Sequence, residues 1–181
     1  MGNGTDDAFF EQPVTKMLDH YNARNFPDKT VRKVARSYDK NKNGYLSPKE
    51  ISKIKKVSLK KTKYGDMITN YKGLERFTNL RILHCSEAET QSKKEIVLDL
   101  SKNKKLRELC LGYHDYESNV TKLKLTNCKK LTSLEITCAT RLKTLDVKGC
   151  ASLKGISLSN SRRMTALDVS SCRELEELRA F

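Results

Sequence analysis

The stretch VTKLKLTNCKKLTSLEITCATRLKTLDVKGC, residues 120–150, decides the fold. Leu123, Leu134 and Leu145 recur in it every eleven residues, and the series runs on through Ile156, Leu167 and Leu178. Cysteines accompany every second unit, at Cys128, Cys150 and Cys172. Each unit follows Leu-x-x-Leu-x-Leu-x-x-(Asn or Cys), so one unit holds Val120, Leu123, Leu125 and Cys128, and the next holds Leu131, Leu134, Ile136 and Ala139. A fixed period of this kind builds a solenoid, because a single unit cannot bury its apolar face without stacked neighbours.

Upstream the pattern persists at Leu98, Leu100 and Asn103, and again at Leu106, Leu109, Leu111 and His114, with about three extra residues around His114. An earlier unit at Leu80, Leu83 and Cys85 precedes a longer insertion. The ladder position alternates between two sets, one being Asn103, Cys128, Cys150 and Cys172, the other His114, Ala139 and Ser161. The true repeat is therefore about twenty-two residues, a coil of two unlike halves. Asparagine and cysteine both carry a donor, which suits them to backbone carbonyls left unpaired where each strand turns away. The apolar alternation of each Leu-x-Leu predicts short strands stacked in parallel about 4.8 Å apart. The expected fold is an α/β solenoid of leucine-rich repeats behind a small helical cap.

That cap is written in residues 1–58. Val14, Met17, Leu18 and Tyr21 predict a short amphipathic helix from Pro13 to Tyr21. Asp28 is placed to cap a second helix carrying Val31, Val34, Ala35 and Tyr38. Residues 39–50 then match the twelve-residue EF-hand calcium loop. Asp39, Asn41 and Asn43 offer side-chain oxygens at positions one, three and five, and Gly44 permits the turn at six. Tyr45 would give its carbonyl, Ser47 would bind directly or through water, and Glu50 would close the site as a bidentate ligand. Leu46 is expected in the core, and a departing helix is expected through Ile51, Ile54 and Val57. With only two charged ligands, the expected cofactor is a structural Ca²⁺ held at a Kd of about 10⁻⁴–10⁻³ M. The sequence divides into a segment of residues 1–25, an EF-hand-like unit of 26–58 and a solenoid of 59–181 that is expected to be cut at its C-terminal end.

The formal net charge of +14 attracts polyanions. Its distribution over both halves, and the absence of aromatics within the dense run Lys49, Lys53, Lys55, Lys56, Lys60, Lys61 and Lys63, argue against a dedicated nucleic-acid site. No stretch approaches the roughly 20 apolar residues of a membrane span. The opening residues lack the basic and apolar regions of a signal peptide. No C-x-x-C pair occurs among the six cysteines, so free, mostly buried thiols are expected rather than a metal site or a disulfide framework. His20, His84 and His114 stand in unrelated contexts, which argues against catalysis and names no catalytic residue.

The order of these elements resembles a known arrangement. The segment from Asn25 through the single loop, then Tyr71-Lys-Gly-Leu-Glu-Arg-Phe-Thr-Asn-Leu-Arg-Ile-Leu leading into Leu-Asp-Val-Ser-type repeats, resembles the leucine-rich repeat surface proteins of anaerobic gut Firmicutes. The resemblance spans roughly residues 25–181 and implies a secreted or surface-attached protein that mediates adhesion or protein binding. For a partner, the sequence offers two columns of outward strand residues. Lys122, Lys124, Thr126, Thr144, Asp146, Lys148, Asp168 and Ser170, on the Cys-bearing half, are expected to line the concave face. Ser133, Glu135, Thr137, Gly155, Ser157 and Ser159 occupy the other half. A polar, aromatic-poor surface of this kind fits a protein or glycan partner of modest affinity. The alternative function is binding of a polyanion, such as wall teichoic acid, an anionic glycan or nucleic acid, through the basic surface.

Overall fold

The computed structural model describes residues 19–59, 68, 70–85, 95–112 and 118–180. Residues 13–18 of the helix expected from Pro13 to Tyr21, the lysines Lys60, Lys61 and Lys63, the ladder residue His114 and the insertion through 89–94 lie outside the described residues.

Parallel strands stacked coil upon coil form the body of the molecule, a leucine-rich repeat solenoid. One half of each coil contributes to a six-stranded sheet made of β3 (Lys56–Ser58), β4 (Ile82–Cys85), β6 (Glu108–Leu111), β8 (Ser133–Thr137), β10 (Gly155–Ser159) and β11 (Glu177–Ala180). The other half contributes a three-stranded sheet of β5 (Val97–Asp99), β7 (Lys122–Lys124) and β9 (Thr144–Asp146). Leucines hold the register, since Val57, Leu83, Leu109, Leu134, Ile156 and Leu178 face one another across the first sheet, and Leu98, Leu123 and Leu145 across the second. The alternation in β8 is exposed, buried, exposed, buried, as a half-buried strand requires. The eleven-residue leucine spacing is thus one step from sheet to sheet, and twenty-two residues complete a coil.

At the N-terminal end, α1 (Lys29–Tyr38) starts where the Asp28 carboxylate accepts from the backbone N–H of Thr30 at 2.8 Å and of Val31 at 3.2 Å, the expected cap. Its apolar stripe buries Val31 and Ala35 in a core that runs without a break from Phe26 to Cys172. Phe26 stacks on Phe77 with ring centroids 5.9 Å apart, so the cap and the first coil share one interior.

Three local expectations are corrected here. Leu167-Asp168-Val169 forms no strand, so the second sheet ends at β9. The helix from Pro13 to Tyr21 does not extend over its last residues, because β1 (Asp19–His20) pairs antiparallel with β2 (Tyr45–Leu46). The departing helix through Ile51, Ile54 and Val57 is also absent, for α2 (Pro48–Ile51) makes little more than one turn and Val57 lies in β3. Ile54 and Val57 are buried, as the stripe implied, but the chain is extended between Lys56 and Ser58 because β4 offers it a row of backbone partners. Lys56–Ser58, grouped by sequence with the EF-hand-like unit, is the first strand of the solenoid sheet.

Candidate functional site

Residues 39–50 fold around the Asp39 carboxylate. Lys42 at φ 56° and Gly44 at φ 90° reverse the chain, and the Asn43 and Gly44 N–H groups donate to Asp39 at 3.3 and 3.0 Å. Nothing lies within 4 Å of a Cβ placed on Gly44, so only the backbone conformation demands glycine there. Asn41 Oδ1 accepts from Asn43 N–H and Asn43 Oδ1 from Tyr45 N–H, both along the loop. Glu50 returns from α2 to close the ring. Its Oε1 accepts from Lys40 N–H at 2.8 Å, and its Oε2 accepts from the Ser47 N–H at 2.9 Å and the Ser47 hydroxyl at 2.7 Å.

Both carboxylates are buried, at 6% exposure each. Burial pushes the Asp39 carboxyl up, but the Tyr21 hydroxyl at 2.8 Å and the N–H groups of Gly44 and Asn43 outweigh it, so its pKa is lowered. The backbone N–H and hydroxyl of Ser47, with Lys40 N–H, likewise hold Glu50 below the usual carboxylate range. Two ionised, like-charged groups facing one loop, with amide and carbonyl oxygens between them, form an oxygen-rich donor set of the kind a hard cation takes. In one respect the fit is partial. Glu50 Oε2 is engaged by two donors of Ser47, and bidentate coordination would require the Ser47 hydroxyl to turn away. Among the described residues no cluster of three or more His, Cys, Asp or Glu side chains is arranged for a metal.

The ladder of the other motif is resolved in detail. Asn103 Nδ2 donates to Leu74 O and Phe77 O, each at 3.0 Å. One coil later Cys128 Sγ reaches Leu100 O at 3.4 Å, Cys150 Sγ reaches Leu125 O at 3.2 Å, and Cys172 Sγ reaches Val147 O at 3.8 Å. Each rung thus serves a carbonyl three residues before the equivalent position of the preceding coil. All six cysteines are free thiols. Burial raises the Cys128 thiol to about 11 and the Cys150 thiol to about 12, so these rungs stay protonated donors.

The two strand faces differ in what they leave available. On the three-stranded sheet, Lys122 stands beside Thr144 and Lys124 beside Asp146. Thr126 Oγ1 donates to Asp146 Oδ2 at 2.7 Å, Asp146 Oδ1 accepts from Lys148 N–H, and Asp168 Oδ1 accepts from Ser170 N–H. Much of the polar set expected to meet a partner is therefore committed to its own turns. The six-stranded face is wider, about 24 Å across at 4.8 Å per strand. One outward row reads Ser58, His84, Cys110, Glu135, Ser157 and Arg179, and the row beside it Lys56, Ile82, Glu108, Ser133, Gly155 and Glu177. His84 Nε2 and Glu108 Oε1 lie 2.7 Å apart across this face. Sequence reasoning named Ser133, Glu135, Gly155 and Ser157 but missed Ile82, His84, Glu108 and Cys110, which belong to coils with irregular spacing. Extending the Leu-x-Leu alternation to Leu83–Cys85 and Leu109–Leu111 is the signal that finds them.

A cleft of about 310 Å³ opens between residues 70–75 and the outer edge of β5, with Val97 and Asp99 on its wall. Its carboxylates are tied into local turns, Glu75 Oε2 accepting from Gly73 N–H at 2.6 Å and Asp99 Oδ1 from Ser101 N–H at 2.9 Å.

No protein-family model matches the chain, and no curated protein does either. Among solved structures it is similar to the functional domain of InlJ from Listeria monocytogenes, described as including a cysteine ladder, at 18% identity and a TM-score of 0.37. It is also similar to an internalin, inlF, from the same organism, at 16% identity and a TM-score of 0.39. Each match covers 91% of this chain, which spans 43% of the first structure and 58% of the second.

Proposed function

We propose that the chain is a non-catalytic recognition module outside the cell, which holds a polar protein or glycan partner against the six-stranded face. The observation that carries this reading is the face itself. Six strands in unbroken register present two rows of side chains in which small residues, Ser133, Gly155 and Ser157, lie between the ionic groups Glu108, Glu135 and Arg179. A flat surface with scattered charges and no aromatic anchor suits polar recognition of modest strength. The column of Lys122, Lys124, Thr126, Thr144, Asp146, Lys148, Asp168 and Ser170 is the second surface, disfavoured because Thr126, Asp146 and Asp168 already serve internal bonds. No helix among the described residues is long and apolar enough to cross a membrane.

The test is a binding screen of the purified chain against extracellular-matrix proteins and a glycan array, repeated with two triple variants. Loss of a signal on Glu108→Ala, Glu135→Ala and Arg179→Ala, with retention on Lys122→Ala, Lys124→Ala and Lys148→Ala, supports the six-stranded face. The reverse pattern reassigns the surface, and retention in both removes strand-face recognition.

Residues 39–50 are proposed to hold a structural calcium ion through Asp39, Asn41, Asn43, Ser47, Glu50 and the Tyr45 carbonyl. The two ionised carboxylates around one reversed loop support this. Bound calcium would neutralise them and tie the start of the loop to α2. Calorimetric titration of the metal-free chain should give saturable heat below about 5 mM calcium, lost in Glu50→Ala. Absence of heat in the wild type would leave the loop as a hydrogen-bonded cap alone.

A further inference from the structure

The turns that lead into the strands of the six-stranded sheet carry an ordered file of cations. Backbone hydrogen bonds fix their alignment. Arg81 and Ile82 N–H donate to Lys55 O, Arg107 and Glu108 N–H to Arg81 O, Thr132 and Ser133 N–H to Arg107 O, and Lys154 and Gly155 N–H to Thr132 O. Lys55, Arg81, Arg107 and Lys154 therefore stand in one column, with Thr132 in the fourth place. Beside it, the starts of two adjacent turns add Lys104 with Lys105 and Lys129 with Lys130. All eight cations are exposed.

Three properties set this edge apart from a general basic surface. First, segments 52–55, 78–81, 104–107, 129–132 and 151–154 contain no aspartate or glutamate. At the ends of these segments the acids are Glu108, which follows Arg107 and faces His84 at 2.7 Å, and in the following coil Glu176, which meets Lys154 at 3.5 Å. Second, among the described residues Arg81, Arg107, Lys129 and Lys130 make no side-chain hydrogen bond or ion pair, so their charge is not spent on the fold. Third, the spacing is that of the solenoid, about 4.8 Å per coil, so the column from Lys55 to Lys154 runs about 19 Å in a straight line.

We propose that this edge binds a linear acidic polysaccharide, sulfated or carboxylated, laid along the solenoid axis. A straight array of single charges at short, regular intervals complements an extended polymer with an anionic group on successive sugars. The five segments contain no aromatic residue to stack on a base, which disfavours single-stranded nucleic acid. They also offer no helix or ribbon to enter a duplex groove. The column borders the row of Lys56, Ile82, Glu108, Ser133 and Gly155 but consists of different side chains, so variants can test the two sites one at a time.

Heparin serves as the probe, with affinity measured between 50 and 300 mM salt. Arg81→Ser, Arg107→Ser and Lys129→Ser together remove three cations that have no side-chain partner. The control, Lys148→Ser, Arg162→Ser and Arg163→Ser, removes three exposed cations elsewhere. The first variant should lose at least tenfold in heparin affinity at about 150 mM salt and show a shallower salt dependence, while the control loses less than threefold. Both should melt at the wild-type temperature. Equal losses in the two variants would mean that diffuse net charge is responsible and would overturn the proposal. So would heparin binding no tighter than that of duplex DNA, or none at 50 mM salt.

Discussion

Replacing Asn103 with alanine removes the rung that ties the first full coil to the segment beneath it. Its Nδ2 donates to Leu74 O and Phe77 O at 3.0 Å each, and the side chain is wholly buried. Alanine removes both bonds, at about 0.5–1.5 kcal/mol apiece, and leaves a small void, while Leu74 O and Phe77 O keep the backbone N–H groups of Phe77 and Leu80. One relief offsets this, because Asn103 Oδ1 has no hydrogen-bond partner among the described residues and its loss removes a penalty of the same size. The balance is about 2 kcal/mol of destabilisation, or a fall of about 4–8 °C in melting temperature for a chain of this size. Asn103→Cys is the informative partner. A thiol at that place should behave like Cys128, which reaches the carbonyl three residues before the preceding rung, and keep one bond of the two. Its cost should be about half that of alanine. Urea unfolding followed by circular dichroism reads both as shifts in midpoint at unchanged slope. A cost below about 0.5 kcal/mol for alanine, or equal costs for alanine and cysteine, would refute the donor role assigned to the ladder.

Gly112 has φ 83°, and a Cβ there would lie 1.7 Å from Thr137 O, so Gly112→Ala should cost more than about 2 kcal/mol by thermal melting. Gly155→Ala, where nothing lies within 4 Å, should stay within about 1 kcal/mol of the wild type by the same measurement. Alkylation with iodoacetamide at pH 8, mapped by mass spectrometry, should modify the half-buried Cys138 first. Cys110 should follow slowly, its thiol raised to about 11 by burial and by the nearby Glu135 and Glu108. Cys85, Cys128, Cys150 and Cys172 should react only on unfolding, and native-rate labelling of Cys128 or Cys150 would show the ladder open to solvent.

The solenoid was legible because burial repeats by residue type. Leu123, Leu134 and Leu145 sit inward for the same reason at each step, and the Asn103 to Cys172 series marked a donor that recurs at each coil, although the carbonyls it reaches are not unpaired, each already accepting a backbone N–H. What separates the two halves was not legible. Leu-x-Leu reads alike in both, and the greater width of one sheet depends on β3 and β4, whose coils are spaced by insertions, and on the absence of a strand at 167–169 beside β9. The stretch from Ile51 to Val57 misled for a related reason. Buried residues three apart satisfy a helix, yet a strand that buries Val57 between exposed Lys56 and Ser58 satisfies it too, and the choice was made by a partner far along the chain. The loop at 39–50 was read ligand by ligand from its spacing, whereas the hold of Ser47 on Glu50 is a capping box written in Ser47-Pro-Lys-Glu50, a mark that coincides with the ligand positions and was read only as such.

The unbroken core from Phe26 onward has a consequence for assembly. Burial is complete in the early coils and thins toward the last, where Met164, Leu167, Val169 and Leu175 are only partly covered and Leu178 is 49% exposed. The capped end is also the end a ribosome delivers first. Each new coil can therefore settle on a finished surface as it emerges, so growth proceeds away from the cap like a course of bricks.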